Sequence, residues 1–387
     1  MHHIDDEQRR IRLGRRHLLA PSVRASSAPA VADAVVALHS TDAATLHLSV
    51  CARLSEPGIA LMERALYDEV SLVRLLSMRN TLFTVSSGFA PFVDAANARA
   101  VAAKERRTFL KHLEADGKGL DARWLADAEQ ETVAVLAERG RASGSELSAA
   151  VPALRTKITV FPGTRQETVQ GVASRVIRLL AAEGRIRRDR PRGSWTSSQF
   201  RWTASDPWPS SPTATAQAEV ARRWLHAYGP GTEADLKWWT GWGLRETRTA
   251  LAAVGAEEVL LDGGAAGWIA PGDLGPEPPV EPWAALLPSL DPSAMGWADR
   301  GFQLQADHRA ALFDRAGNIG PTVWWNGRIV GGWAQRADGE IVWRLLSDVG
   351  QDGSALIESE ASRLTAWVGD TRITPRFRTP VERELTA

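Results

Sequence analysis

The strongest constraint on this sequence is an order of elements that recurs along it. Apolar spacing predicts helices over 32–38 and 43–54, and a third over 59–68 after the Glu56-Pro57-Gly58 break. A short helix is expected over 70–76, then a strand, Thr81-Leu82-Phe83-Thr84-Val85, rich in β-formers. Residues 87–114 read as mostly helical. The order then returns: two helical segments over 120–140, a short helix opened by Ser143 and Glu146 at capping-box spacing, and a long helix over 168–184 ending at Gly184. A hairpin follows, from Arg185 through a turn at Pro191-Arg192-Gly193 and back to Trp202. A third, truncated copy takes helices over 214–228, 232–241 and 244–254, with short strands at 259–261 and 267–269.

Three helices followed by a hairpin is the order of a winged helix, so tandem winged-helix modules are expected, the recognition helix of the first lying near Leu72. From Pro279 the texture changes to β-strands joined by Asn326-Gly327 and Asp338-Gly339, strong hairpin signals, with a closing helix over 354–368. The expected class is therefore α+β: winged-helix modules at 1–118, 119–204 and 214–275, a Pro- and Ser-rich linker at 205–212, and a small β-barrel-like or curled-sheet domain at 279–387.

Composition narrows the function classes. Nothing approaches 18 unbroken apolar residues, so no membrane partner is expected. The acidic N-terminus lacks the apolar core of a secretory signal, and cytoplasmic residence is the default. One cysteine, Cys51, leaves no internal disulfide and no cysteine-rich zinc site. The 46 basic and 46 acidic residues cancel, yet two runs are locally basic: Gln8 to Arg16, and Arg185 to Arg192 with five arginines in eight residues. In the second run Arg185, Arg187, Arg188, Arg190 and Arg192 lie where a wing meets a phosphate backbone, a solvated basic hairpin being the alternative. Of the 16 tryptophans most follow Trp195; Tyr228, Trp238, Trp239, Trp324 and Trp325 read as core.

Between the first two helices stands His39-Ser40-Thr41-Asp42, an imidazole, two hydroxyls and a carboxylate flanked by apolar residues. Ser40 or Thr41 as a helix cap and Asp42 as a first-turn acid would account for three of them. Capping and catalysis are not exclusive. Arg79 and Asn80 are placed near the same cleft, suited to a phosphate or base edge or to a salt bridge at a helix end, and Lys157 and Arg178 extend the basic channel. His17 and His47 read as structural or solvated.

Four phrases, Ser77-Met78-Arg79-Asn80-Thr81-Leu82, the run from Tyr228 to Gly241 with Trp238-Trp239, Leu286-Leu287-Pro288-Ser289-Leu290-Asp291, and Asn326 to Trp333, make the chain resemble the bacterial AlkZ/YcaQ family of DNA glycosylases, also described as winged helix DNA-binding domain-containing proteins. The resemblance covers nearly the whole chain. It implies cleavage of the N-glycosidic bond of bulky or cross-linking alkylated purines, in repair or in the self-resistance of antibiotic producers. The family motif is Gln-x-Gln or Gln-x-Asp, commonly followed by Asp. Here His39 replaces the first glutamine and Thr41 the second residue, while Asp42 fits the aspartate.

Such chemistry needs little from the protein. An alkylated purine is cationic and leaves readily, so the task is to stabilise an oxocarbenium-like sugar and hold a water. Asp42 would supply negative charge, His39 would orient the water, and Thr41 would help place it. Ser40, Arg79, Asn80, Lys157, Arg178 and the wing arginines would hold double-stranded DNA carrying modified bases. No lysine lies in the stretch, so no lyase step is expected; nor are a metal or other cofactor. The protein is expected to act as a monomer. Two alternatives stand beside this: a DNA binder without hydrolysis, such as a regulator or damage sensor, and a fold kept to sequester a DNA-reactive compound or bind a protein.

Overall fold

The computed structural model describes residues 2–387 as a mixed α+β molecule of short helices and five small sheets. Helix Ala28–Ala34 is capped by Ser27, and the two-residue strand Leu38–His39 follows. Helix Ala43–Cys51 has every residue buried. Its N-cap is Asp42 itself, whose side chain accepts from Ala44 N–H, rather than Ser40 or Thr41. The stretch Ile59–Glu63 runs on through a wider turn to Asp68. The next segment departs from expectation: Leu72–Leu76 is a strand, not a helix, and pairs antiparallel with Leu82–Ser86. A short apolar run fits either period, and pairing decides it, burying Leu72, Val73 and Leu75. Leu38–His39 pairs with the other edge of Leu82–Ser86, so that strand is central.

Helix Arg99–Ala115 leads to Ala122–Arg139, one continuous helix rather than two segments, stopped by left-handed Gly140. The capping box at Ser143 and Glu146 forms and opens helix Gly144–Ala150. The long helix expected over 168–184 is divided. Thr168–Gly171 is a strand paired with Lys157–Val160, and the helix is Ala173–Ala182. Strands Ile186–Asp189 and Arg201–Ala204 form the expected hairpin, extended by Ala142–Ser143. This region has its own core, with Phe109, Leu125, Leu136, Leu147, Val176 and Leu180 all buried.

The third set of helices, Thr213–Tyr228, Glu233–Thr240 and Leu244–Ala253, precedes strands Glu257–Leu261 and Ala266–Ile269. The chain start, His2–Ile4, pairs parallel with Glu257–Leu261, a return that no local pattern announces. Strands Ala284–Leu287, Thr322–Trp325, Arg328–Gln335 and Ile341–Leu345 then pair in sequence order as an open antiparallel sheet, not a closed barrel. One face is covered by helix Gly350–Val368, through Ile357, Ala361 and Leu364 against Val323, Val330 and Trp333. The other delivers Trp324 and Ile329 to the largest core, which also takes Leu13, Phe83, Trp224, Tyr228, Trp239, Trp283 and Trp297. At the Asn326-Gly327 turn both residues are left-handed, and a Cβ on Gly327 would come 2.6 Å from that of Arg10. Among the described residues no helix is long and apolar enough to cross a membrane.

Candidate active site and nucleic-acid interface

The polar stretch splits by the alternation of extended backbone. His39 and Thr41 line a cleft of about 1050 Å³, while the side chains of Ser40 and Asp42 are engaged within the protein. The ladder that begins at Leu38–His39 continues one step further, Ser40 N–H donating to Leu82 O at 2.9 Å. Leu76, Thr81 and Leu82 form the adjoining wall. Helix Ala173–Ala182, Ile186 and Trp202 lie opposite, and Leu290, Asn318 and the C-terminal segment at Arg376-Phe377 complete the lining.

The lining is one-signed. Six arginines contribute to it, Arg74, Arg175, Arg178, Arg187, Arg188 and Arg376, and no aspartate or glutamate. Arg188 stacks on Phe200 at 4.0 Å and lies 5.7 Å from Trp202; burial, and then the charge of Arg74, push its pKa down to about 10. It still carries its proton at neutral pH, beside a second cation, which is a state that a phosphate oxygen relieves. Arg187 Nη1 is buried without a partner.

His39 is buried, with its ring edge-on to Phe83 at a centroid distance of 5.6 Å. Burial, and secondarily the charge of Arg79, push its pKa down to about 4, so the imidazole is neutral. Its Nδ1 is buried and unpartnered. The Asp42 carboxylate is fully engaged: Oδ1 accepts from Ala44 N–H at 3.0 Å and Oδ2 from Arg376 N–H at 3.2 Å.

The residues expected at the site are thus only partly gathered. His39, Thr41, Asn80, Arg178, Arg187 and Arg188 meet in the cleft. Asn80 Nδ2 donates to Glu105, and Asn80 Oδ1 accepts from Arg178 at 3.2 Å. Ser40 is withdrawn, its hydroxyl shared with Thr84 and Leu38 O. Arg79 sits at a left-handed turn position that aims its guanidinium 4.1 Å over Trp238, away from the lining. Three wing arginines are held by carboxylates: Arg185 by Glu129 at 2.8 Å, Arg190 by Glu63 and Asp68, and Arg192 by Glu146. Lys157 is exposed on the hairpin outside the cleft. Sequence reasoning missed Arg74, Arg175, Arg376, Trp202 and Phe377. Arg74 sits at an intermediate position in a strand read as a helix, and the others reach the cleft only by tertiary contact.

A groove whose lining presents six arginines and no carboxylate beside a neutral imidazole and a hydroxyl suits a polyanion. The chain matches the family described as DNA glycosylase AlkZ-like over residues 32–367, and it belongs to that family of DNA glycosylases. Among solved structures it is similar to the Streptomyces sahachiroi DNA glycosylase AlkZ, with a TM-score of 0.70 at 20% identity over 96% of this chain and 98% of that one. At that identity the likeness is one of fold. No curated protein matches the chain.

Proposed function

We propose that this glycosylase hydrolyses the N-glycosidic bond of bulky, cross-linked or otherwise modified bases, alkylated purines above all, in double-stranded DNA. It acts as a monofunctional, monomeric enzyme of the cytoplasm, in base-excision repair or self-resistance. The observation that carries this reading is the placement of His39 and Thr41 on a cleft lined by six arginines and no carboxylate. Regions 1–118, 119–204 and 214–275 are read as winged-helix modules wrapping the duplex; the helices Ala122–Arg139, Gly144–Ala150 and Ala173–Ala182 followed by the hairpin at 186–204 support this, with a second hairpin at 157–171 inserted before the third helix.

In this mechanism the C1′–N bond breaks with its electron pair leaving on the cationic purine, which departs neutral. Water adds to C1′ from the opposite face and gives its proton to solvent. A histidine with a pKa of about 4 is a weak base, so His39 orients the water by accepting its hydrogen bond rather than by deprotonating it. Thr41 fixes that water laterally. Arg74, Arg187 and Arg188 hold the phosphates on either side, Arg178 being taken up by Glu105 at 3.2 Å, and positioning does most of the work. Asp42, with both oxygens engaged, supplies negative charge near the sugar only from behind Thr41.

The test is single-turnover incubation with duplex carrying a defined N7-alkylguanine, followed by hot alkali to reveal abasic sites. Strand breaks after alkali and none before it are expected, at a rate flat from pH 6 to 8 because His39 does not titrate there. The engagement of Asp42 favours one second reading, a DNA binder that does not hydrolyse. Salt-sensitive binding without base release from small or bulky adducts would establish it.

A further inference from the structure

The cleft wall beside Thr41 comes from a segment with neither helix nor strand, pinned at two points. Gln335 Oε1 accepts from Ile373 N–H at 2.8 Å, and Asp42 Oδ2 accepts from Arg376 N–H at 3.2 Å. The second pin presents Phe377, half-buried, and the exposed guanidinium of Arg376 to the cleft that holds His39 and Thr41. Phe377 offers an aromatic face on the same wall as Thr41, whereas the other large ring of the lining, Trp202, lies on the opposite wall with Arg188 5.7 Å from it. Phe377 lies beyond residues 32–367, the span that the family description matches.

We propose that Phe377 is a specificity-determining residue: it is the surface on which the planar aromatic body of a bulky purine adduct stacks, and Asp42 is the positioning residue that holds it there. This rests on the glycosylase reading above and names the class of substrate for that site. Base–aromatic stacking tolerates any base because each has a π-face, so discrimination comes from the size of the stacked body. The tether makes the distance between this surface and the reacting sugar a fixed property of one residue. Asp42 follows Thr41 directly and caps helix Ala43–Cys51 with its other oxygen, so the wall and the water-holding pair share one anchor. Arg376 stands next to the stacked body, where it meets the phosphate of the displaced nucleotide.

The experiment compares two duplexes, one with N7-methylguanine and one with an N7-guanine adduct bearing a polycyclic aryl group. Base release and binding anisotropy are measured for wild type, Phe377→Ala, Phe377→Trp, Asp42→Asn and the Asp42→Asn/Phe377→Ala double variant. Asparagine keeps an oxygen for Ala44 N–H but sets an amide donor against Arg376 N–H, so it cuts the tether and spares the cap. Phe377→Ala should raise the half-saturating enzyme concentration for the aryl adduct about ten- to a hundredfold more than for the methyl adduct. Phe377→Trp should restore it, and Asp42→Asn should reproduce the selective loss without adding to that of Phe377→Ala. Equal losses on both adducts from Phe377→Ala would overturn the proposal. So would an Asp42→Asn enzyme whose half-saturation is unchanged on both adducts, since the tether would then place nothing that the aryl body meets. If wild type releases neither base, the glycosylase reading fails, and the aryl-to-methyl affinity ratio still decides the stacking role. Thermal midpoints of each variant separate these effects from misfolding, and the Phe377 pair carries the test if Asp42→Asn does not fold.

Discussion

Two runs of this chain are equally rich in arginine and are used in opposite ways. In the first, Arg9 lies 3.8 Å over the Phe302 ring, and Arg10 donates to Phe302 O. Arg12 bonds Asp273 and the carbonyls of Asp273 and Gly275, and Arg16 reaches Asp273 and Glu277, each at 2.7 Å. That run fastens the N-terminal helix Asp6–Arg16 to segments far along the chain. In the second, Glu129, Glu63, Asp68 and Glu146 take up Arg185, Arg190 and Arg192, and only Arg187 and Arg188 remain for the cleft. Local charge density does not mark a nucleic-acid contact; the carboxylates that folding brings to it decide.

Acid gives the largest expected effect, because it attacks both regions at once. His17, at the end of the first run, His47, packed on Trp195, and His39, in the cleft, have pKa values pushed down by burial to about 3, 4 and 4. Unfolded histidine takes a proton below about pH 6.5 and these do not, so proton uptake between pH 6.5 and 4 favours the unfolded chain. Stability should be full above pH 6.5 and fall through that window, by on the order of 3 kcal/mol for each histidine. A flat denaturant midpoint from pH 7 to 4.5 would show that the histidines are not held neutral.

Next in size, Arg12→Ala should cost about 3 kcal/mol in urea unfolding, since it strips a buried guanidinium from Asp273 and two carbonyls. Duplex affinity of the folded variant should hold. Arg187→Ala and Arg188→Ala should do the reverse: each should lower the slope of log affinity against log salt by about 0.9 while leaving stability within about 1 kcal/mol. An Arg12 variant that loses DNA and keeps its stability would break the contrast. The smallest effect is expected from Arg190→Ala. Its ion pairs with Glu63 and Asp68 are partly exposed, so stability should change by about 0.2–1 kcal/mol and the salt slope hardly at all.

The sequence revealed what local chemistry controls. The capping box at Ser143 and Glu146 and the Asn326-Gly327 turn both form where their side chains or φ preferences require. Leu72–Leu76 was ambiguous because five apolar-rich residues satisfy both periods, and its strand identity lies in Leu82–Ser86. The open form of the last sheet depends on a helix and a second core covering its two faces, which no strand pattern records. At the site, the stretch His39 to Asp42 was legible as a polar wall, and His39 and Thr41 do line the cleft, yet Ser40 and Asp42 are engaged by Thr84 and Arg376. Arg74 and Arg175 carry no local basic run, and Arg376, though between Arg372 and Arg378, is far along the chain, so only the fold brings them together.

Whether binding and bond cleavage reside on different side chains of one cleft is decided by measuring duplex affinity and single-turnover base release in parallel for His39→Ala and Arg188→Ala. His39→Ala should bind as wild type does while its release rate falls by about a hundredfold or more, and Arg188→Ala should bind more weakly but release base at the wild-type rate when saturated. A His39→Ala enzyme that releases base as fast as wild type would contradict this division of roles.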